Sequence, residues 1–239
     1  MNRPQYRSIF VVSLLAAASH AARADGLVVD KIYHPYVDAL EKELEYRALA
    51  QDTQPGKRNL AQVHQLSLGS AIGDRLFAEV YVIGAKNRAS GFEIEAWEAE
   101  VKWQLTQQGE FGLDWGLLFE YEDERKLDAH EFSVALIAEK ELGRFSATAN
   151  LFVINEWGKD VVNEVETVFS MQARYRGNAA FEPGLEFYAG QDSRGIGPVL
   201  QGSIITGSRK SLHWEAGVIF GLGQSSPDNT WRFLLEYEF

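Results

Sequence analysis

The feature that most constrains the fold is an alternation of apolar and polar residues with a period of two. In the stretch FGLDWGLLFEY, residues 111–121, every second residue from Phe111 to Tyr121 is apolar, whereas Asp114 and Glu120 occupy the opposite phase. This spacing places the apolar side chains on one face of a strand and would scatter them around a helix. Twelve such runs follow one another, at residues 40–51, 60–71, 74–85, 92–105, 110–122, 130–141, 144–155, 164–176, 184–191, 197–206, 211–223 and 229–239.

The connections between the runs alternate between turn-like segments and mostly longer polar loops. The fourth run changes phase near residue 96, from Phe92 and Ile94 to Trp97 and Ala99, which a β-bulge would explain. An even strand count with short turns at one end and longer loops at the other is typical of a transmembrane barrel. The sequence therefore predicts an all-β fold, a closed antiparallel up-and-down barrel of about twelve strands, with ten as the alternative count.

A soluble β-sandwich also alternates, but the length of the runs and the positions of the aromatic residues favour a membrane barrel. Most runs reach ten or more residues, which a tilted strand needs to cross a bilayer, whereas soluble strands usually have five or six. Trp and Tyr residues in the apolar phase lie near the ends of runs, as an interfacial girdle requires. These residues are Trp97, Trp103, Trp214, Trp231, Tyr121, Tyr175 and Tyr237.

The first 24 residues have the layout of a secretory signal peptide: two arginines without an acid, a short apolar run, and the small-residue site Ala22-Arg23-Ala24. We predict cleavage between Ala24 and Asp25. Removal of the segment takes away three arginines and moves the formal net charge from −11 to −14, so a nucleic-acid partner is not expected. The chain has no cysteine, which excludes disulfides and thiolate metal sites.

The chain ends on WRFLLEYEF, whose terminal aromatic residue is preceded by apolar residues at alternating positions. This ending resembles the C-terminal signal by which the barrel assembly machinery recognises outer-membrane barrels of Gram-negative bacteria. The matching residues are Phe233, Leu235, Tyr237 and Phe239. The resemblance implies a location in the bacterial outer membrane, with lipid and the assembly machinery as partners.

We divide the chain into the signal peptide at 1–24, a periplasmic N-terminal segment at 25–39, and one barrel domain at 40–239. The N-terminal segment contains YHPYV, which should be extended around Pro35. Two positions are open to it, because it could stay in the periplasm or enter the lumen from below. Residues 40–49 could also form an amphipathic helix, but a strand there completes the even count.

The polar phase of the runs should face the lumen, and acids outnumber bases in it. Rings of carboxylates favour cations, so one interpretation is passive passage of small cationic or neutral solutes. The alternative is a structural or accessory barrel whose lumen is closed by salt bridges, because unpaired buried charges are costly. The candidate lumen residues are Glu43, Glu45, Arg47, Glu98, Glu100, Lys102, Asp114, Glu120, Arg174, His213, Glu215, Arg232 and Glu236.

A membrane-embedded hydrolase is a third and less favoured interpretation. Ser211, His213 and Glu215 share one face of a strand, but residues two apart are separated by about 6.5–7 Å along it, and a nucleophile must contact its base. The four histidines after residue 24 show no ligand spacing. The sequence predicts no enzyme, no cofactor and no metal site.

Overall fold

The computed structural model describes residues 28–52, 60–87 and 91–239. Twelve strands form in these residues, and no helix there is long and apolar enough to cross a bilayer. The strands are β1 (Lys42–Asp52), β2 (Leu60–Ile72), β3 (Leu76–Asn87), β4 (Gly91–Gln104), β5 (Asp114–Glu124), β6 (Ala129–Leu142), β7 (Phe145–Gly158), β8 (Glu164–Tyr175), β9 (Glu182–Ala189), β10 (Arg194–Gly207), β11 (Lys210–Gly221) and β12 (Asn229–Glu238).

Every strand pairs antiparallel with its neighbours in sequence, and β12 pairs back with β1, so the sheet is closed. Glu43 lies opposite Glu238, and the backbone N–H of Phe239 donates to the carbonyl of Lys42 at 2.8 Å. Closure leaves no unpaired strand edge, which a hydrocarbon environment requires. The predicted twelve-stranded, up-and-down barrel is confirmed.

The predicted phase change in β4 is a bulge. Ile83 of β3 lies opposite Ala96, and the next residue, Gly84, lies opposite Ile94, so Glu95 is the extra residue. β5 begins at Asp114 rather than at residue 110, because a turn precedes it: the backbone N–H of Gly109 donates to the Asp114 carboxylate at 2.8 Å.

The two faces of the sheet differ as the alternation predicts. In β6, Leu136 is exposed on the outer face, whereas its neighbours Ala135 and Ile137 are fully buried inside. We call the end of the barrel that carries Lys42 and Glu238 the terminal end. The opposite end, which carries Asp52 and Asn229, is the distal end.

The described part of the N-terminal segment, residues 28–39, runs through the lumen. Its Ile32 packs in one buried cluster with Leu49 and Tyr188 of the wall, and Tyr33 packs in another with Leu118. The sequence left both the periplasm and the lumen open for this segment, and the contacts place residues 28–37 among lumen-facing side chains. The signal peptide, the cleavage site Ala24–Asp25 and residues 26 and 27 lie outside the described residues.

Candidate functional site

The N-terminal segment is held to the barrel wall on several sides. The backbone N–H of Tyr33 donates to Asn150 Oδ1 at 2.8 Å, and Asn150 Nδ2 donates back to the Tyr33 carbonyl at 2.9 Å. The Tyr33 hydroxyl donates to Glu100 at 2.6 Å. On another side, the Asp30 carbonyl accepts from Arg232 at 2.7 Å, and the Asp30 carboxylate pairs with Arg47. These contacts tie the segment to β1, β4, β7 and β12, so it crosses the lumen.

Lys31 makes the central ion pairs of the segment. Its Nζ lies 2.9 Å from Glu45 Oε2 and 3.7 Å from Glu79 Oε2, and it donates to the Tyr81 hydroxyl at 2.7 Å. Burial alone would lower the pKa of Lys31, but the charges of Glu45 and Glu79 outweigh it and hold the pKa well above its usual range. The ammonium group is therefore retained inside the barrel.

The rest of the segment follows the wall toward the terminal end. His34 Nδ1 lies 2.5 Å from Glu139 Oε2, and the Tyr36 hydroxyl donates to Asp114 at 2.8 Å. Pro35 lies so close to β5 that a Cβ added to Gly116 would be 3.0 Å from the Pro35 Cα. Glycine at position 116 therefore permits the segment to pass, because a larger side chain would meet its backbone.

The segment leaves a cavity on each side of Lys31. The distal cavity has a volume of about 380 Å³, and the terminal cavity has a volume of about 200 Å³. Lys31 is the one described residue that lines both. The lining of the distal cavity includes eight glutamates: Glu95, Glu98, Glu120, Glu122, Glu124, Glu131, Glu156 and Glu166.

Five glutamates form an arc around the distal half of the wall. Each lies directly opposite the next on the neighbouring strand. Like charges in directly opposed positions destabilise a sheet, so this arrangement costs free energy when the carboxylates are ionised and no cation is nearby. Within the described part of the chain, no Lys or Arg forms an ion pair with any of the five. They are Glu98, Glu122, Glu131, Glu156 and Glu164.

All thirteen candidate lumen residues point toward the inside of the barrel. Seven of them are buried: Glu43, Glu45, Arg47, Glu100, Asp114, Glu215 and Arg232. Glu98 and Glu120 line the distal cavity. Lys102, His213 and Glu236 line the terminal cavity. Arg174 is half-buried and lies against Ser146 and Glu182.

Some of these residues form close groups. The carboxylates of Glu43, Glu45 and Glu236 lie within 4.8 Å of one another, and so do those of Glu98, Glu100 and Glu120. The first group has basic partners, since Glu45 accepts from both Lys31 and Arg47. In the second group, Tyr33 donates to Glu100 and Ser133 donates to Glu120. The lumen therefore contains both compensated and uncompensated acids.

Arg232 is the basic centre of the compensated part. Its side chain is fully buried, and its Nη2 lies 2.7 Å from Glu186 and 2.8 Å from Glu215. Tyr188 donates to the same Glu186 at 2.8 Å. Two carboxylates and one guanidinium leave this cluster with one net negative charge, before any protonation of the neighbouring His213 is counted.

The serine considered for catalysis does not contact its histidine. Ser211 donates to Glu238 at 2.5 Å. His213 lies instead between Ser203 of β10, at 3.1 Å, and Glu215, at 3.0 Å. Glu215 is also bound by Arg232. The Ser203 hydroxyl, the His213 imidazole and the Glu215 carboxylate therefore belong to the ion-pair network of the wall.

Several residues of the lumen were not predicted from the sequence. Glu79 and Tyr81 lie on β3, where both phases are largely apolar and the alternation is weak. The single acid of that strand, Glu79, was the signal that could have fixed the phase. Asp30, Lys31 and Tyr33 were missed because the position of the segment was open.

The residues that resemble an assembly signal lie on the outer side of β12 and at the chain end. Phe233, Leu235 and Phe239 are exposed, and the rings of Tyr237 and Phe239 stack with centroids 5.9 Å apart. This face continues the apolar outer surface of the barrel. Recognition by the assembly machinery stays a prediction.

No protein-family model matches the chain, and no curated protein matches it. Among solved structures, an outer-membrane channel from Pseudomonas putida F1 is 11% identical with a TM-score of 0.59, covering 88% of this chain and 98% of that chain. The KdgM porin in complex with disordered oligogalacturonate is 12% identical with a TM-score of 0.54, covering 82% and 98%. The beta domain of the Bordetella autotransporter BrkA is 16% identical with a TM-score of 0.53, covering 84% and 99%. At these identities the likeness concerns the fold, and the chain has the fold of a bacterial outer-membrane β-barrel.

Proposed function

We propose that the protein is an outer-membrane channel that admits small cationic or neutral solutes into an acidic lumen, with its own N-terminal segment narrowing the path. The arc of directly opposed glutamates in the distal cavity carries this proposal. Glu122, Glu131 and Glu156 occupy directly opposed positions on three neighbouring strands and make no ion pair with a Lys or Arg of the described residues. The channel and the porin among the structural neighbours support the class of function.

The expected preference for cations has an electrostatic cause. A carboxylate ring lowers the energy of a cation in the cavity and raises that of an anion. Opposed glutamates also repel one another, and this repulsion falls when a cation lies between them.

The test is to neutralise the arc and measure ion preference. Glu122→Gln, Glu131→Gln and Glu156→Gln combined preserve side-chain size and remove three charges. In planar bilayers under a salt gradient, the cation-to-anion permeability ratio from the reversal potential should fall. Conductance should become less dependent on salt concentration, because less fixed charge is left to screen.

A matched control removes the same number of charges elsewhere. Asp74→Asn, Asp192→Asn and Asp228→Asn change three exposed acids in turns and loops that line neither cavity. This variant should keep the permeability ratio of the parent. Equal ratios for the parent and the glutamate triple variant would contradict the proposed cation preference.

The second candidate is a structural barrel with a closed lumen. The observation that favours it is the crossing of the lumen by residues 30–34, with hydrogen bonds to several strands. A closed barrel passes no current and admits no solute into liposomes. This candidate would be favoured if the folded parent protein passed no current over many insertions into the bilayer.

A further inference from the structure

We propose that the barrel wall contains a binding site for a primary alkylammonium group, and that Lys31 of the N-terminal segment occupies this site as a built-in stand-in for a solute. The binding site is formed by Glu45, Glu79 and Tyr81. Its affinity for an ammonium group depends on the contacts of these three residues with the Lys31 Nζ. Its role in passage rests on the proposed function.

The wall supplies what a primary ammonium group needs. Glu45 accepts at 2.9 Å, Glu79 lies at 3.7 Å, and the Tyr81 hydroxyl accepts at 2.7 Å. All three wall residues are buried. Charge-assisted hydrogen bonds of this kind are about twice as strong as neutral ones. Glu45 and Tyr81 accept two of the three N–H groups of the ammonium ion, and Glu79 adds a second negative charge at a distance too long for a hydrogen bond.

Aromatic rings complete the surroundings of the ammonium group. The Lys31 Nζ lies 5.4 Å from the centroid of the Tyr81 ring and 4.9 Å from that of Tyr33. The distance to Tyr33 is within the range of a cation–π interaction. The ammonium group is not over the face of Tyr81, because its distances of 2.7 Å to the hydroxyl and 5.4 Å to the ring centroid place it almost in line with the hydroxyl, near the plane of the ring. Tyr81 therefore binds the ammonium group through its hydroxyl, which belongs to the wall and remains when the segment is altered.

The wall around this point keeps an excess of negative charge when Lys31 is removed. Arg47 binds the second oxygen of Glu45 at 3.0 Å and also pairs with Asp30. Glu79 receives hydrogen bonds from Ser67 and Tyr81, which are neutral. Among the described residues, Glu79 forms no ion pair other than that with Lys31, although the charge of the nearby Arg47 also attracts it. An external cation can replace the lysine charge.

The location makes the site relevant to a solute. Lys31 is the one described residue that lines both the distal and the terminal cavity. A cation that moves from one cavity to the other beside Lys31 passes the position of its ammonium group. A solute with a primary amine on a narrow carbon chain reproduces the charge, the donors and the width of the lysine side chain.

Chemical rescue tests the binding site. In the full mature chain, refolded in detergent, Lys31→Ala removes the ammonium group and leaves its space. The melting temperature, followed by circular dichroism, should fall below that of the parent. Adding n-propylammonium should raise it by a few °C when the amine is near ten times its dissociation constant. If Lys31→Ala does not refold alone, recovery of folded protein with n-propylammonium is the equivalent readout.

Three controls identify the interaction. n-Propanol tests the need for charge, and tetramethylammonium tests the need for N–H donors. Lys31→Met fills the space without a charge and should gain no stability from the amine. Lys31→Ala combined with Glu79→Gln should require several-fold more amine for the same shift.

Two results would overturn the proposal. One is the absence of rescue in Lys31→Ala at saturating n-propylammonium, whether or not the variant folds alone. The other is an equal shift in Lys31→Ala and Lys31→Met, which would mean nonspecific stabilisation. Because the readout is stability, the channel can fail separately: rescue without any current in bilayers would keep the binding site and remove the proposed passage.

Discussion

At the scale of residues, the barrel interior is organised by two buried arginines. Arg47 binds Glu45 and Asp30, and Arg232 binds Glu186 and Glu215. The alternation of the sequence placed Arg232 and Glu215 on the inner face. It could not pair Arg232 with Glu186, because that contact joins residues 46 positions apart. Periodicity determines the face of a side chain, whereas its partner depends on the strand register.

The first prediction concerns the cost of breaking the Arg232 cluster. Arg232→Met keeps much of the side-chain volume but leaves Glu186 and Glu215 without their cation. Removing one partner of a buried pair costs about 3–5 kcal/mol, because the remaining charge is buried and uncompensated. Urea unfolding in lipid vesicles, followed by tryptophan fluorescence, should show this decrease in the free energy of unfolding.

Arg176 provides the control. It pairs with Glu141 at the terminal end, where both side chains are more than a third exposed. Arg176→Met should cost about 0–1 kcal/mol, because water solvates both charges. Similar losses for Arg232→Met and Arg176→Met would mean that the interior is wetter than the burial of Arg232 indicates.

At the scale of elements, strand number and strand faces could be predicted from the sequence, and strand ends less well. The alternating run at residues 130–141 agrees with the bounds of β6 to within one residue at each end. β5 begins at Asp114, four residues after the start of the alternating run at residue 110, because Asp114 accepts a hydrogen bond from the turn at Gly109. An apolar residue in a turn can continue the period of the strand, so the pattern alone does not show where pairing stops.

The second prediction compares the cost of a charge at two depths on the outer, lipid-facing side of β6. Leu136 and Leu142 lie on the same face of β6, with Leu136 near the middle and Leu142 at the terminal end. Leu136→Arg should cost about 2–4 kcal/mol, and Leu142→Arg about 0–1 kcal/mol, because the cost of a charge on the lipid face falls toward the interface. The same urea unfolding measurement compares them. Equal costs would contradict the position of the membrane on this strand.

At the scale of the whole molecule, the lumen contains a segment whose place no local pattern predicts. Its contacts are long-range: Tyr33 and Asn150 are 117 positions apart, and Asp30 and Arg232 are 202 apart. The segment also lacks a clear period, since Asp30, Lys31 and Tyr33 contact different sides of the wall. Its burial depends on the closed barrel, which exists only after β1 and β12 have paired. The sequence therefore predicted which strand residues face the lumen. It did not predict that the N-terminal segment fills part of the lumen.

The last prediction tests whether the segment limits passage. A Cβ placed on Gly190, in the distal connection between β9 and β10, would lie 3.8 Å from the Cβ of Val28. This distance is typical of disulfides, and the chain has no other cysteine to compete. Val28→Cys with Gly190→Cys should therefore fix the segment in the lumen under oxidising conditions. If the segment must move for solutes to pass, the current through single channels should fall on oxidation and return on reduction. Val28→Cys alone should respond to neither treatment. Equal currents in the oxidised and reduced double variant, with the disulfide verified by mass spectrometry, would mean that solutes pass beside a stationary segment.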